Sequence, residues 1–248
     1  MDERLRAAAL AVEEDHWWYR GRRRIIAAEI DRLALPPGAR ILDAGCGSGR
    51  MLVELARYGS VAGVELDSEA VAIARARDHF DVRAARVEEL PFADATFDLI
   101  TCLDVIEHTP DDRLTLAELR RVCRPGGWLL VTVPAYPALW SRHDEQNHHY
   151  RRYTRAMLRS ASLAAGWQPV RATSFNSLLL APAAAVRLGQ RWLLAPSRRA
   201  QGTDLELGPS WLGGLLERLL AAEAAWLRRG RSLPFGLSLL AVLRRPAP

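Results

Sequence analysis

Ten residues limit what this chain can fold into more than any others: Ile41-Leu42-Asp43-Ala44-Gly45-Cys46-Gly47-Ser48-Gly49-Arg50. Ile41 and Leu42 continue an apolar run that fits a short buried strand. Gly45, Gly47 and Gly49 then permit positive φ and a close approach of backbone to a ligand. Met51 to Tyr58 follows with helical spacing, which lets Met51, Leu52, Leu55 and Ala56 share one face. Val61-Ala62-Gly63-Val64 is a second apolar run, and Glu65 stands at its end. A strand, a glycine turn, a helix and a second strand form the repeating unit of an open α/β sheet, whose ligands bind at the carboxyl ends of the strands. A carboxylate there accepts hydrogens from both hydroxyls of a ribose, and the loop amides face whatever lies over the helix start. The unit reads as a nucleoside pocket.

Spacing and charge narrow the nucleoside. Dinucleotide enzymes use G-x-G-x-x-G, whereas the glycines here run G-x-G-x-G and the sixth position is Arg50. Asp43, just ahead of the turn, would repel a pyrophosphate but suits a cation that carries an ammonium and a sulfonium. S-adenosylmethionine is the expected cofactor, and nicotinamide-dependent oxidoreduction is disfavoured.

At 248 residues, 49% hydrophobic and 25% charged, the chain suits one large α/β domain with insertions. The net charge of +5 comes entirely from arginine, since the chain has no lysine, and the arginines are scattered along it. No nucleic-acid partner is expected from that pattern. Cys46, Cys102 and Cys123 fall in core or cofactor segments without a paired framework, which fits a reducing, cytoplasmic setting without disulfides. The charged start, Met1 to Arg6, predicts no secretory leader. Ser177 to Pro196 is apolar but interrupted by Arg187, Gln190 and Arg191, so it reads as an amphipathic helix rather than a membrane span.

Strands are expected near 40–44, 60–65, 82–85, 97–102, 127–133, 168–174 and 236–243, with a helix over Leu116 to Cys123 that Arg124-Pro125-Gly126-Gly127 ends. The expected organisation is a single domain, 1–248: N-terminal lid helices in 1–35, a cofactor-binding core in 36–135, and a substrate-side segment, helical cap and last strands in 136–248. Asn176 to Ala195 and Ser210 to Gly230, separated by the polar stretch Ser197 to Gly208, form a helical insertion before the last strand. Leu212, Leu215, Leu216, Leu219 and Leu220 give the second helix an apolar face. The simpler reading is a cap packed on the sheet. The sharper one is a greasy pocket for a hydrophobic, lipid-linked or sugar-linked acceptor, or a face for peripheral membrane contact.

With Glu89-Leu90-Pro91-Phe92, Phe97-Asp98-Leu99-Ile100, Val105-Ile106-Glu107-His108 and Arg124-Pro125-Gly126-Gly127 added, the chain resembles the class I S-adenosylmethionine-dependent methyltransferases over about residues 38 to 135. The likeness is to the branch of ubiquinone and menaquinone methyltransferases. It implies an α/β, Rossmann-like, seven-stranded and mostly parallel sheet with the last strand antiparallel. It also implies that Asp43, Gly45, Cys46, Gly47 and Gly49 hold the methionine part of the cofactor, Glu65 the ribose and Leu66 the adenine, with the backbone at Cys102 and Leu103 receiving the amino group. One position departs. The family commonly has an acid five residues before the proline of its Leu-Pro-Phe signature, and Arg86 stands there. An arginine accepts no hydrogen bond, so the adenine contact is expected from the Val87 amide, from Glu88 or from a shifted loop.

Two aromatic and basic segments flank this core, His16-Trp17-Trp18-Tyr19-Arg20 and Trp140 to Thr154, and both are expected at the catalytic face. Methyl transfer from a sulfonium is a direct displacement, which for a hydroxyl acceptor also needs a base. His149 or His143 is the expected base, as an imidazole titrates near neutrality. Trp17, Trp18, Tyr19, His108, Tyr136 and Arg152 are expected to meet the substrate, Arg152 by gripping an acidic group. His143, Asp144, His148 and His149 also admit a metal reading, but a hydrogen-bonded corner with Arg151, Arg152 and Tyr153 is preferred and no metal is expected. The expected function is O-methylation of a small molecule with a histidine base. The alternative, raised by Arg86 and the long cap, is a methyltransferase fold that serves without catalysis as a binding or scaffolding partner.

Overall fold

Each expected apolar run becomes a strand in a computed structural model of the protein, which describes residues 16–181, 184, 185 and 210–247. In chain order come α1 (Trp17–Ile30), β1 (Ala39–Ala44), α2 (Arg50–Leu55), β2 (Gly59–Glu65), α3 (Ser68–Ala76), β3 (Asp81–Ala84) and β4 (Phe97–Leu103). They are followed by α4 (Asp112–Val122), β5 (Cys123–Pro134), α5 (Arg142–Gln146), α6 (Arg155–Ala164), β6 (Gln168–Phe175), α7 (Ser210–Arg228) and β7 (Ser238–Arg244). The strands make one sheet in the order β3-β2-β1-β4-β5-β7-β6. Only β7 is antiparallel to its neighbours, β5 and β6, as the resemblance implied. The direction of winding reverses between β1 and β4, so the crevice of an open sheet lies at their carboxyl ends.

Strict alternation of side chains across the sheet builds the two apolar layers. Leu42, Ile100, Leu129 and Val131 face α4 and α6, where Leu116, Leu119, Leu158 and Trp167 close the first core. Ile41, Leu99, Leu130 and Leu240 face the other way, toward α1, α2 and α7. There the N-terminal segment expected to be a lid is a fixed layer: Ile25, Ile26, Ala28 and Ile30 of α1 are buried against the sheet. Gly21 lets α7 come close, since a Cβ on it would stand 2.3 Å from Leu220 Cδ1. Residues 1–15 of the expected lid segment lie outside the described residues, as do the polar stretch 197–208 and most of 176–195.

The described second helix of the insertion, α7, packs with α1 on one face of the sheet. Leu216, Leu220, Ala224 and Leu227 of α7 are buried while Leu215 is exposed, and Glu217 pairs with Arg20 and Arg24 of α1 at 3.3 and 2.9 Å. Among the described residues no helix is long and apolar enough to cross a membrane. Two boundaries differ from expectation. The helix after the glycine turn stops at Leu55, because Tyr58 turns back to donate its hydroxyl to Asp31 at 2.7 Å. Arg124 to Gly127, read as a break, lie inside β5 as an irregularity between the pairs Phe97 with Cys123 and Leu99 with Trp128.

Candidate functional site

Three carboxyl ends and two loops converge at the crevice. After β1, Gly45, Gly47 and Gly49 take φ of 79, 54 and 80°. Gly45 and Cys46 donate their amides to the Val64 carbonyl at 2.8 and 3.0 Å, which seats the turn on the end of β2. A Cβ on Gly45 would lie 2.4 Å from Val105 Cγ2, while one on Gly47 would meet nothing within 4 Å. The first glycine is demanded by packing and the second by its backbone angle. Asp43 is buried, and the Thr101 hydroxyl, its neighbour across the β1–β4 register, donates to its Oδ1 at 2.6 Å.

Glu65 ties the second strand to the turn. Its Oε2 accepts from the Gly47 amide at 2.9 Å, and its Oε1 from the amides of Leu66 and Asp67 at 2.8 and 3.0 Å. Burial raises its pKa in spite of the bonds from Gly47 and Leu66. Leu66 beside it is 65% exposed. At the adjacent edge Arg86 Nη2 pairs with Glu88 Oε1 at 3.0 Å, so the arginine that replaces the family's acid holds a second acid beside the half-buried Val87.

Beyond β4, whose Cys102 and Leu103 are buried, Asp104 adopts φ of 57° and turns to Arg22 of α1, with Nη2 2.7 Å from Oδ2. Arg22 also lies over the Trp18 ring at 5.1 Å. Of the expected aromatic wall, Trp18 and Tyr19 are therefore placed at this edge only in part buried, while Trp17 is a core residue at 7% exposure, packed with α7. His16 caps α1, accepting from the Trp18 amide.

The segment after β5 supplies the opposite wall. Tyr136 takes φ 60° and ψ 99°, a strained position for a bulky residue, and leads into α5. Asp144 in the first turn of α5 is fully buried. Its Oδ2 accepts from the Ser141 amide at 2.8 Å and its Oδ1 from Arg152 Nε at 2.7 Å, with His149 Nδ1 at 2.9 Å. Burial alone would raise the Asp144 pKa, but the bond from His149 and the charge of Arg152 outweigh it and hold the carboxyl well below the usual range. Arg152 is 4% exposed and also donates to the Ala135 carbonyl at 3.1 Å. Two of its donors are thus committed to the protein, which gives it a structural role at this corner.

The two expected bases stand differently. His143 Nε2 is engaged with the Asn147 amide nitrogen at 3.3 Å, whereas His149 is backed by the buried carboxylate. His108 meets His149 edge to face with centroids 4.6 Å apart. Burial, then the neighbouring His149, bring the His108 pKa down to about 4, so it is neutral at physiological pH. Glu107 is buried, with Oε2 lacking a hydrogen-bond partner, and burial followed by the Asp104 charge pushes its pKa up. Glu107, His108 and His149 each offer an atom within 4.8 Å of the others. If a cation were to bind here, these would be its ligands, and not the set 143, 144, 148 and 149, since Asp144 is consumed by Ser141, Arg152 and His149.

A family model described as Methyltransferase domain matches residues 42–131. Over that stretch the chain carries a methyltransferase domain. Among curated relatives, the ubiquinone biosynthesis O-methyltransferase of Hahella chejuensis is 38% identical over 111 residues, 42% of this chain and 47% of that protein. The chain thus spans about half the length of that relative. Of solved structures, geranyl diphosphate C-methyltransferase from Streptomyces coelicolor, solved with S-adenosyl-L-homocysteine, aligns with a TM-score of 0.57 at 19% identity over 89% of this chain and 78% of that one. Phosphoethanolamine N-methyltransferase 2 from Haemonchus contortus, solved with S-adenosyl-L-methionine, aligns with a TM-score of 0.60 at 16% identity over 90% of this chain and 52% of that one. At these identities the likeness is one of fold, and the three names span oxygen, carbon and nitrogen acceptors.

Proposed function

We propose that the protein methylates a hydroxyl oxygen of a small molecule, with His149 as the base. The observation that carries this reading is a histidine, anchored through Nδ1 on a buried carboxylate, packed on His108 of the segment that follows β4. The curated relative's name supports oxygen as the acceptor atom and a quinol-like ring as the acceptor.

The residues at the crevice fit the family's cofactor. Gly47 has open space where a side chain would point, Glu65 offers a carboxylate at the end of β2, and Leu66 is exposed next to it. Asp43, Cys46 and Gly49 complete the turn around the methionine part, and the Cys102 and Leu103 backbone receives the amino group. Val87 and Glu88, the latter steadied by Arg86, serve the adenine edge. Arg22 joins this set: it reaches the end of β4 from α1 and suits the carboxylate of the methionine part, while Asp104 keeps it in place. When bound, S-adenosylmethionine supplies an electrophilic methyl group.

The protein's own work is then alignment and proton removal. Trp18, Tyr19 and Tyr136 wall the acceptor, and Nε2 of His149 takes the proton as the hydroxyl oxygen becomes nucleophilic. His108, neutral, packs on the base without adding charge. Three free and buried cysteines support a cytoplasmic setting.

The test uses the full chain, tritiated cofactor and 3,4-dihydroxybenzoate as a simple catechol probe, with S-adenosyl-L-homocysteine binding read by calorimetry. We expect saturable binding and label transfer that falls about 100- to 10,000-fold in His149→Gln, the usual span of a general base. Absence of binding heat, or full transfer by His149→Gln, refutes the reading.

A further inference from the structure

We infer that Asp144 is a positioning residue for the reaction: it holds the Nδ1–H of His149 and thereby leaves Nε2 as the atom that can take a proton. The inference rests on the reading of His149 as the base, and it names the group that makes His149 fit for that role.

The argument starts from what a buried carboxylate can do. An ionised Asp144 is an acceptor at every lone pair. Its Oδ2 takes the Ser141 amide at 2.8 Å and the Ser141 hydroxyl at 3.2 Å, which closes the first turn of α5. Capping α5 needs no more than that oxygen. Oδ1 is nevertheless aimed inward, at Arg152 Nε and at His149 Nδ1, 2.7 and 2.9 Å away. The atom of His149 that meets it must therefore be a donor, and a neutral imidazole that carries its hydrogen on Nδ1 has its lone pair on Nε2.

The chain of contacts also fixes where the imidazole stands. Arg152 bridges Asp144 to the Ala135 carbonyl just past β5, and the His149 amide donates to the Asp144 carbonyl at 2.9 Å. Ring and backbone of His149 are thus held by one residue that is itself bolted to the sheet. His143, on the same short helix as Asp144, instead has its Nε2 3.3 Å from the side-chain nitrogen of Asn147. Among the described residues, charged and titratable groups from two segments stand near the His149 ring. Its own segment contributes Asp144, Arg152 behind it and His143, whose ring is 6.2 Å away. The segment after β4 contributes His108 at 4.6 Å and the Glu107 carboxyl, an atom of which lies within 4.8 Å of a His149 nitrogen. Asp144 is the one group among them in direct hydrogen-bond contact with that ring.

The experiment reads the imidazole first and the reaction second. In full-length protein labelled with 15N at histidine, long-range proton–nitrogen correlation gives the tautomer of each ring, with His149→Gln identifying the signal. We expect the Nδ1–H tautomer at His149 in the unsubstituted protein. In Asp144→Asn the tautomers mix, since a carboxamide meets Nδ1 as donor or as acceptor. Transfer to 3,4-dihydroxybenzoate falls at least tenfold, while S-adenosyl-L-homocysteine affinity stays within threefold. An Nε2–H tautomer in the unsubstituted protein overturns the inference without any variant. So does a pure Nδ1–H tautomer in Asp144→Asn, or in Asp144→Ala where the asparagine variant does not fold. Mixed tautomers with the parental transfer rate overturn His149 as the base, and separate that failure from failure of the Asp144 contact.

Discussion

Glu65→Gln is the most telling single change, because the structure sets its cost atom by atom. The carboxylate accepts three backbone amides, one on Oε2 from Gly47 and two on Oε1 from Leu66 and Asp67. A carboxamide accepts on one atom only, so it keeps the pair from Leu66 and Asp67 and turns its NH2 against the Gly47 amide. The glycine turn loses its tether to β2, and a ribose loses one of its two acceptors. A hydrogen bond to a charged group is worth about 1.5–3 kcal/mol. Loss of one of them from the bound state predicts a weakening of S-adenosyl-L-homocysteine binding by about 10- to 150-fold. Calorimetry on parent and variant reads the ratio directly, and circular dichroism checks that the fold is intact.

The pH dependence tests the same carboxylate with no mutation. Its folded pKa is raised above the ordinary 4.5 by burial. A proton therefore binds the folded state more tightly than the unfolded one, and this group's contribution to stability is greatest at low pH and is lost as pH rises through the folded value. Affinity runs the other way, since the protonated acid accepts less well, and must weaken as pH falls through that same value. Opposite signs for stability and affinity over one pH window are the signature. A dissociation constant within threefold of the parent in Glu65→Gln, or affinity flat from neutrality down to the ordinary glutamate range, would refute the assignment of Glu65 to the ribose.

Three further outcomes are expected. Gly45→Ala places a Cβ 2.4 Å from Val105 in a backbone with φ of 79°; it should cost about 1–3 kcal/mol of unfolding free energy by urea titration and weaken cofactor binding, and parental values for both would be contrary. Gly21→Ala drives a Cβ against Leu220 Cδ1 and Cβ at 2.3 and 2.6 Å, prising α1 from α7 at a cost of about 1–3 kcal/mol, which thermal denaturation reads. Dialysis against a chelator should leave methyl transfer unchanged, because the base needs Nε2 of His149 free; inhibition restored by a divalent ion would instead make Glu107, His108 and His149 metal ligands.

Much of the fold is legible in the residues because its signals are local. Six of the seven strands start within two residues of their expected start, most of them apolar runs bounded by glycine, proline or charge. Trp128 to Val133 illustrates the limit of such reading. The apolar stretch is correctly a strand, but the strand begins at Cys123, because Phe97 offers Cys123 a partner across an irregular turn that no local pattern describes.

The site divides along the same line. Asp43, Glu65 and the three glycines announce themselves because their meaning depends on neighbours within one strand-turn-helix unit. The pair of Arg22 with Asp104 joins residues far apart in the chain, and only the packing of α1 on the sheet brings them to 2.7 Å. Trp17 and Trp18 are adjacent and chemically identical, yet the first is core and the second faces the crevice edge, since successive helical positions point about 100° apart. Asp144 carried a faint signal, Ser141 three residues ahead of it in a capping pattern. That pattern accounts for one carboxylate oxygen and is silent on the other.

By itself the sequence determined the α/β class, the positions of most strands and the strand–glycine turn–helix unit, because periodicity and glycine placement act over a few residues. Tertiary structure alone decided which histidine stands on a buried carboxylate, that two donors of Arg152 are committed to the protein, and that α1 is a layer of the core. Those outcomes depend on which donor meets which acceptor once the loops fold over the sheet edge, and burial, which sets the strength of each such meeting, is a property of the whole fold.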